Sequence, residues 1–191
     1  MNKNKLNIAF DSKLLFNDLH YNEGRTGIYF VAYNIANRLL NIEYINLYFY
    51  LEDNKFKKDL YKILKNKNIN TISKNAKAWF DIDIFYSPAL KIPNFIIDNK
   101  HIIRFTTIYD LIPLIFPEYF NHYKNHWLIR IIKKLVNKDY IFSISENTKK
   151  DFLKYNPQFN PNNIITTHLG VNNKFNQKNS TDVNNILKRY N

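Results

Sequence analysis

The run Thr106-Thr107-Ile108 stops abruptly at Tyr109-Asp110, and the chain then turns on Pro113 and again at Pro117-Glu118. A phenol and a carboxylate just past an apolar, β-rich run are well placed for chemistry, because strand ends face a crevice in an open α/β sheet. Asp110 can orient or deprotonate a hydroxyl; it can equally cap a turn before the proline segment. Tyr109 offers a phenol that donates a hydrogen bond. Glu118 reads as a hydroxyl ligand or as a solvated loop carboxylate. A second constellation, Gly24-Arg25-Thr26-Gly27, precedes a helical pattern. Its glycines permit close backbone approach, and a helix N-terminus favours an anion, so the loop suits a phosphate or an ordinary helix start. Arg25 can pair with that phosphate or stay solvated. Tyr86 closes another apolar run before Ser87-Pro88, and His168 stands beside the Leu169-Gly170 turn. His122 and His126 have a spacing able to bind metal, but Tyr123-Lys124-Asn125 between them supplies no acid. No third ligand is evident, and nothing in the sequence requires a metal.

The elements that must hold these residues alternate along the chain. Strands are expected at Leu6–Phe10, Tyr44–Leu51, Ile69–Ile72, Ile82–Tyr86, Ile102–Ile108, Tyr140–Ile144 and Ile164–Thr167. Helix periodicity runs over Gly27–Leu40, Asn54–Lys67 and His122–Val136. Ser145 can N-cap a further helix to about Tyr155, with Glu146 in its first turn. This alternation implies α/β architecture, a mostly parallel sheet of six or seven strands with helices on both faces. Residues 173–191 read as a polar linker and the start of a helix at Val183, Ile186 and Leu187. Trp79, Phe80 and Trp127 read as core or interface aromatics.

Composition narrows the classes. The 191 residues contain no cysteine, which excludes disulfides and thiolate metal sites. No apolar run reaches membrane-span length, and the charged N-terminus lacks a signal-peptide core, so the chain reads as cytoplasmic. The net charge of +12 comes from lysines spread along a chain also rich in Asn, Ile, Tyr and Phe. No recognition motif accompanies it, and a solvated or lipid-facing surface is the expected reading. A basic nucleic-acid-binding domain stays as an alternative.

Taken in order, four segments and a fifth after them resemble the N-terminal half of GT-B glycosyltransferases of the group 1 (family 4) type. These are Gly24-Arg25-Thr26-Gly27-Ile28-Tyr29; Asp83-Ile84-Phe85-Tyr86-Ser87-Pro88; Thr107-Ile108-Tyr109-Asp110-Leu111-Ile112-Pro113 continued by Phe116-Pro117-Glu118; Ile144-Ser145-Glu146-Asn147-Thr148; and His168-Leu169-Gly170-Val171-Asn172. The family's usual histidine before the aspartate is Tyr109 here, and a second frequent histidine is Tyr86.

The resemblance implies a single Rossmann-like domain over residues 1–172, with 173–191 leading toward a second, donor-binding domain beyond Asn191. It implies Asp110 and Tyr109 at the catalytic position. Gly24, Arg25, Gly27, Tyr86, Glu118, Ser145 and His168 are implied around the substrates. It implies no cofactor and a nucleoside diphosphate sugar as donor. The acceptor would be a saccharide or lipid-linked molecule met at the inner face of a membrane, in cell-surface polysaccharide or glycolipid synthesis. This chain alone would be inactive. A split enzyme completed by a second polypeptide, or a non-catalytic sugar or lipid-carrier binding module, fits the same segments.

Overall fold

The computed structural model describes residues 5–16, 24–89, 91–120, 128–170, 183 and 187–188. Seven strands form one sheet in the order β3-β2-β1-β4-β5-β6-β7, and every neighbouring pair is parallel. They are β1 (Leu6–Asp11), β2 (Ile45–Leu51), β3 (Asn70–Ser73), β4 (Ile84–Ser87), β5 (Ile103–Ile108), β6 (Asp139–Ser143) and β7 (Ile164–Thr166). The helices are α1 (Gly27–Leu40), α2 (Lys57–Leu64), α3 (Asn94–Ile97), α4 (Ile112–Ile115) and α5 (Glu146–Tyr155), with residues 128–132 also helical. This is an α/β Rossmann-like fold, with the parallel sheet that the alternation implied.

The strand order reverses between β1 and β4. Parallel crossovers are right-handed, so a reversal of direction sends the connecting helices to the opposite face. The buried residues follow that rule. Ala32 and Ala36 of α1 and Leu60 and Leu64 of α2 pack with Phe10, Leu47 and Phe49 on one face. Leu114, Leu128, Ile132 and Phe152 pack with Ala9, Phe85, Ile108 and Ile141 on the other. Central strands bury both faces, so Ile8, Ala9 and Phe10 are consecutively buried, the pattern of a parallel sheet.

Coverage is uneven. On the face carrying α1 and α2, the described residues place no helix over β4–β7. There Phe105 stacks between Tyr140 and Phe142 at 4.9 and 5.4 Å, and Ile103 and Ile165 are 46% and 45% exposed.

Several element ends differ from expectation for local reasons. The fourth strand begins at Ile84, because a 3-10 turn over Lys77–Asp81 occupies the approach, locked by Trp79 Nε1 donating to the Ser73 carbonyl at 2.9 Å. Trp79 is buried as expected, whereas Phe80 is 84% exposed. The Asn54–Lys67 helix opens as a 3-10 turn capped by Asp53 and stops at Leu64, where Lys65 adopts a left-handed conformation with φ 52°. The first residues of the His122–Val136 helix lie outside the described residues, as do Trp127 and most of 173–191. One feature of β5 and β6 had no sequence signal. Arg104 and Asp139 form a fully buried ion pair, with Arg104 also donating to the Ile97 carbonyl at 2.7 Å and Asp139 accepting from Val136 N at 2.7 Å.

Candidate functional site

The carboxyl ends of the strands gather most of the residues singled out from sequence. The face over β4–β6, which no helix among the described residues covers, is walled by α1 and forms a trough of about 1210 Å³. One end of it, at the carboxyl edge, is formed by Gly27, Tyr86, Thr107, Ile144, His168 and Gly170. The other end reaches Arg38 and Leu39 at the close of α1. Three expected substrate residues, Gly27, Tyr86 and His168, are therefore brought together from segments far apart in the chain.

α1 starts at that end. Its N-cap Thr26 makes no side-chain cap hydrogen bond, so the first-turn amides are not closed off by the cap. The helix is 14 residues long, which gives its N-terminus the partial positive charge that attracts an anion. Gly24 adopts φ +67°, a left-handed conformation that favours glycine, and so sets the chain's approach to the helix. Arg25 is exposed, with its guanidinium 5.3 Å from the centre of the Tyr29 ring.

Tyr86 is buried, and its hydroxyl shares a 2.8 Å hydrogen bond with Thr107 Oγ1. Burial raises the Tyr86 phenol above its ordinary value, against the lowering effect of that bond, so it stays protonated. Tyr109 is half-buried and donates to the Pro88 carbonyl at 3.0 Å. Burial, with Tyr86 nearby, pushes the Tyr109 phenol well above the usual tyrosine range. Its backbone carbonyl accepts from Thr148 Oγ1 at 3.1 Å. Tyr109 thus ties the end of β5 to the loop after β4 and to α5.

Asp110 is exposed, and its carboxylate accepts from Ile112 N at 3.1 Å, the geometry of a turn cap. Ser145 caps α5 by accepting from Thr148 N at 3.1 Å. Glu118 is exposed in a 3-10 turn over Pro117–Tyr119. Tyr109, Asp110, Glu118, Ser145, Gly24 and Arg25 do not line the trough. His122 and His126 lie outside the described residues, among which no group of three or more His, Cys, Asp or Glu is placed to hold a metal.

The sequence reading passed over one carboxylate. Asp11 ends β1, the strand at the order reversal, and burial raises its carboxyl to about 6, opposed by the hydrogen bond from the Lys13 amide. The signal was available: an acid directly after an apolar strand, the same pattern that drew attention to Asp110. Beside it, Tyr50 is pushed up to about 12 by burial, with Glu52 and Asp11 adding to the shift.

No protein-family model and no curated protein matches the chain. Among solved structures, the chain resembles Alr3699/HepE of Anabaena in complex with UDP and glucose, with a TM-score of 0.54 at 10% identity. The match covers 97% of this chain and 50% of that one, so the chain spans half the length of the relative whose fold it shares.

Proposed function

We propose that this chain is the acceptor-side half of a nucleotide-sugar-dependent glycosyltransferase of the GT-B, group 1 (family 4) type, serving cell-surface polysaccharide or glycolipid synthesis. One observation carries the reading. At the reversal of a parallel sheet, the N-terminus of α1 meets Gly27, Tyr86 and His168 at the end of an open trough, in a fold shared with half of a protein solved with UDP and glucose.

The α1 amides would face a donor phosphate, and Tyr86, held by Thr107, would present a fixed polar edge. A hexose would pass from a nucleoside diphosphate to a saccharide or lipid-linked acceptor hydroxyl. The leaving diphosphate would be stabilised chiefly by a second half, carried on further chain or another polypeptide. No helix among the described residues is long and apolar enough to cross a membrane. Exposed Lys57, Lys58 and Lys62 on α2, and Arg130, Lys133 and Lys134 further along, suit contact with an anionic membrane face.

The reading is tested by incubating the purified chain with UDP-glucose and simple saccharides and assaying UDP release. The chain alone is expected to give none. Robust turnover without added protein would place the donor site within these residues and defeat the assignment of halves. A non-catalytic lipid-carrier module is favoured by one feature, the apolar floor of the trough, and binding of a polyprenyl phosphate without any transfer in a completed enzyme would select it.

A further inference from the structure

The large apolar side chains exposed to solvent are not spread evenly. Four of them fall within eight positions: Ile112 at 45%, Ile115 at 38%, Phe116 at 48% and Tyr119 at 78%. They belong to α4 and the 3-10 turn over Pro117–Tyr119, the segment that follows the carboxyl end of β5. This turn is firmly held. Leu111 and Leu114 anchor it in the core, Asp110 caps the Ile112 amide at 3.1 Å, and Tyr155 at the close of α5 donates to the Leu114 carbonyl at 2.7 Å. Pro113 and Pro117 fix two backbone angles within it. Apolar side chains are thus kept facing water as a contiguous patch, the mark of an interaction surface.

A stable protein interface takes roughly 800 Å² and about 20–30 residues from each partner, far more than one short turn offers. A lipid surface needs only apolar side chains that enter the headgroup boundary and basic charge that holds them there. The supporting elements carry that charge. Asn156, next to Tyr155, donates to the Ile132 and Leu135 carbonyls at 3.1 and 3.4 Å, so α5 meets the helix over 128–132 beside the turn. Arg130, Lys133 and Lys134 are exposed along the one, and Lys150 and Lys154 along the other. The exposed carboxylates there are Asp110, Glu118 and Glu146, while Asp151 pairs with Lys154 at 3.1 Å. We propose that Ile112, Ile115, Phe116 and Tyr119 insert into the interface of an anionic bilayer, with Arg130, Lys133 and Lys134 alongside to hold its headgroups. Insertion there brings the carboxyl edge of the sheet close to the lipid from which a lipid-linked acceptor is presented. That consequence rests on the glycosyltransferase reading; the insertion itself does not.

The test is flotation of the whole chain with vesicles of phosphatidylcholine alone and of phosphatidylcholine with about one third phosphatidylglycerol, at about 0.1 M and about 0.5 M salt. The chain should float with the anionic vesicles, and less so at high salt. Ile115→Ser combined with Phe116→Ser should lower the partition coefficient about 10-fold or more, the scale of apolar side chains withdrawn from lipid. Tyr119→Ser should lower it about 3-fold, and repeats the test if melting shows the double variant to be misfolded. Phe80→Ser is the control. Phe80 is 84% exposed but lies in the 3-10 turn that leads into β4, at the amino edge of the sheet, and its variant should bind as wild type does. No flotation with either vesicle overturns the proposal and leaves sugar transfer by a completed enzyme untouched. Binding that the turn variants leave unchanged also overturns it, because charge alone would then carry the contact. Equal loss in Phe80→Ser, or equal flotation with neutral vesicles, does the same. Dimerisation in sedimentation that the double variant abolishes would mean that a second copy covers the turn, and overturns it too.

Discussion

The ends of β1 and β5 obey the same local grammar and arrive at different chemistry. β1 closes in an aspartate and β5 is followed by one two residues on, and each carboxylate accepts the backbone N–H two residues further, Lys13 N for Asp11 and Ile112 N for Asp110, both at 3.1 Å. Asp110 opens onto solvent, beside an α4 whose Ile112 and Ile115 are also exposed. Asp11 ends a central strand within electrostatic reach of Glu52 and Lys91, and burial lifts its carboxyl to about 6. A turn is decided by neighbours in sequence. A perturbed acid is decided by what the fold stacks around it.

The largest effect that sharpens this comparison comes from a third charged strand residue. Arg104→Met leaves Asp139 buried without its partner, and should cost about 3–5 kcal/mol in urea unfolding. A loss under about 1 kcal/mol would mean that water reaches this pair and that burial is a poor guide to charge at the other sites too.

Next comes Asp11→Asn. The folded carboxyl is raised from 3.8 to about 6, so the native state holds its proton over a range where the unfolded chain has released it. This group's contribution to stability therefore falls as pH rises from about 4 to about 6 and stays low above. The variant should be more stable than wild type by roughly 1–3 kcal/mol above pH 6, with the gain disappearing below about pH 4. A pH-independent difference, or a destabilised variant at pH 7.5, would make the two strand ends equivalent.

The smallest effect is expected at the other end. Asp110→Ala removes only an exposed turn cap and should cost about 0.5–1 kcal/mol, with saccharide binding unchanged. A 10-fold loss of binding there would return Asp110 to the substrate site and reverse the comparison.

Much of the architecture was legible because parallel strands buried on both faces write continuous apolar runs. Ile8-Ala9-Phe10 and Leu47 to Leu51 announced themselves in that way. Ser145 was legible as a cap because its partner, Thr148, is three residues away. Gly27, Tyr86 and His168 were chosen as separate strand-end or helix-start residues, and the fold brings them to one end of the trough. Tyr109 and Asp110 were chosen by the same rule, yet the first ties loops together and the second caps a turn.

What the sequence by itself determined was the order of the seven strands and of the longer helices, and most of the polar residues at strand ends, because each depends on periodicity and contacts within a few residues. Only the tertiary structure decided which of those residues share a crevice, that no helix among the described residues covers half of one sheet face, and that Asp11 is the crowded carboxylate while Asp110 is the free-standing one. The charges acting on Asp11 include Glu52 and Lys91, 41 and 80 positions further along the chain, and no local pattern encodes that they meet.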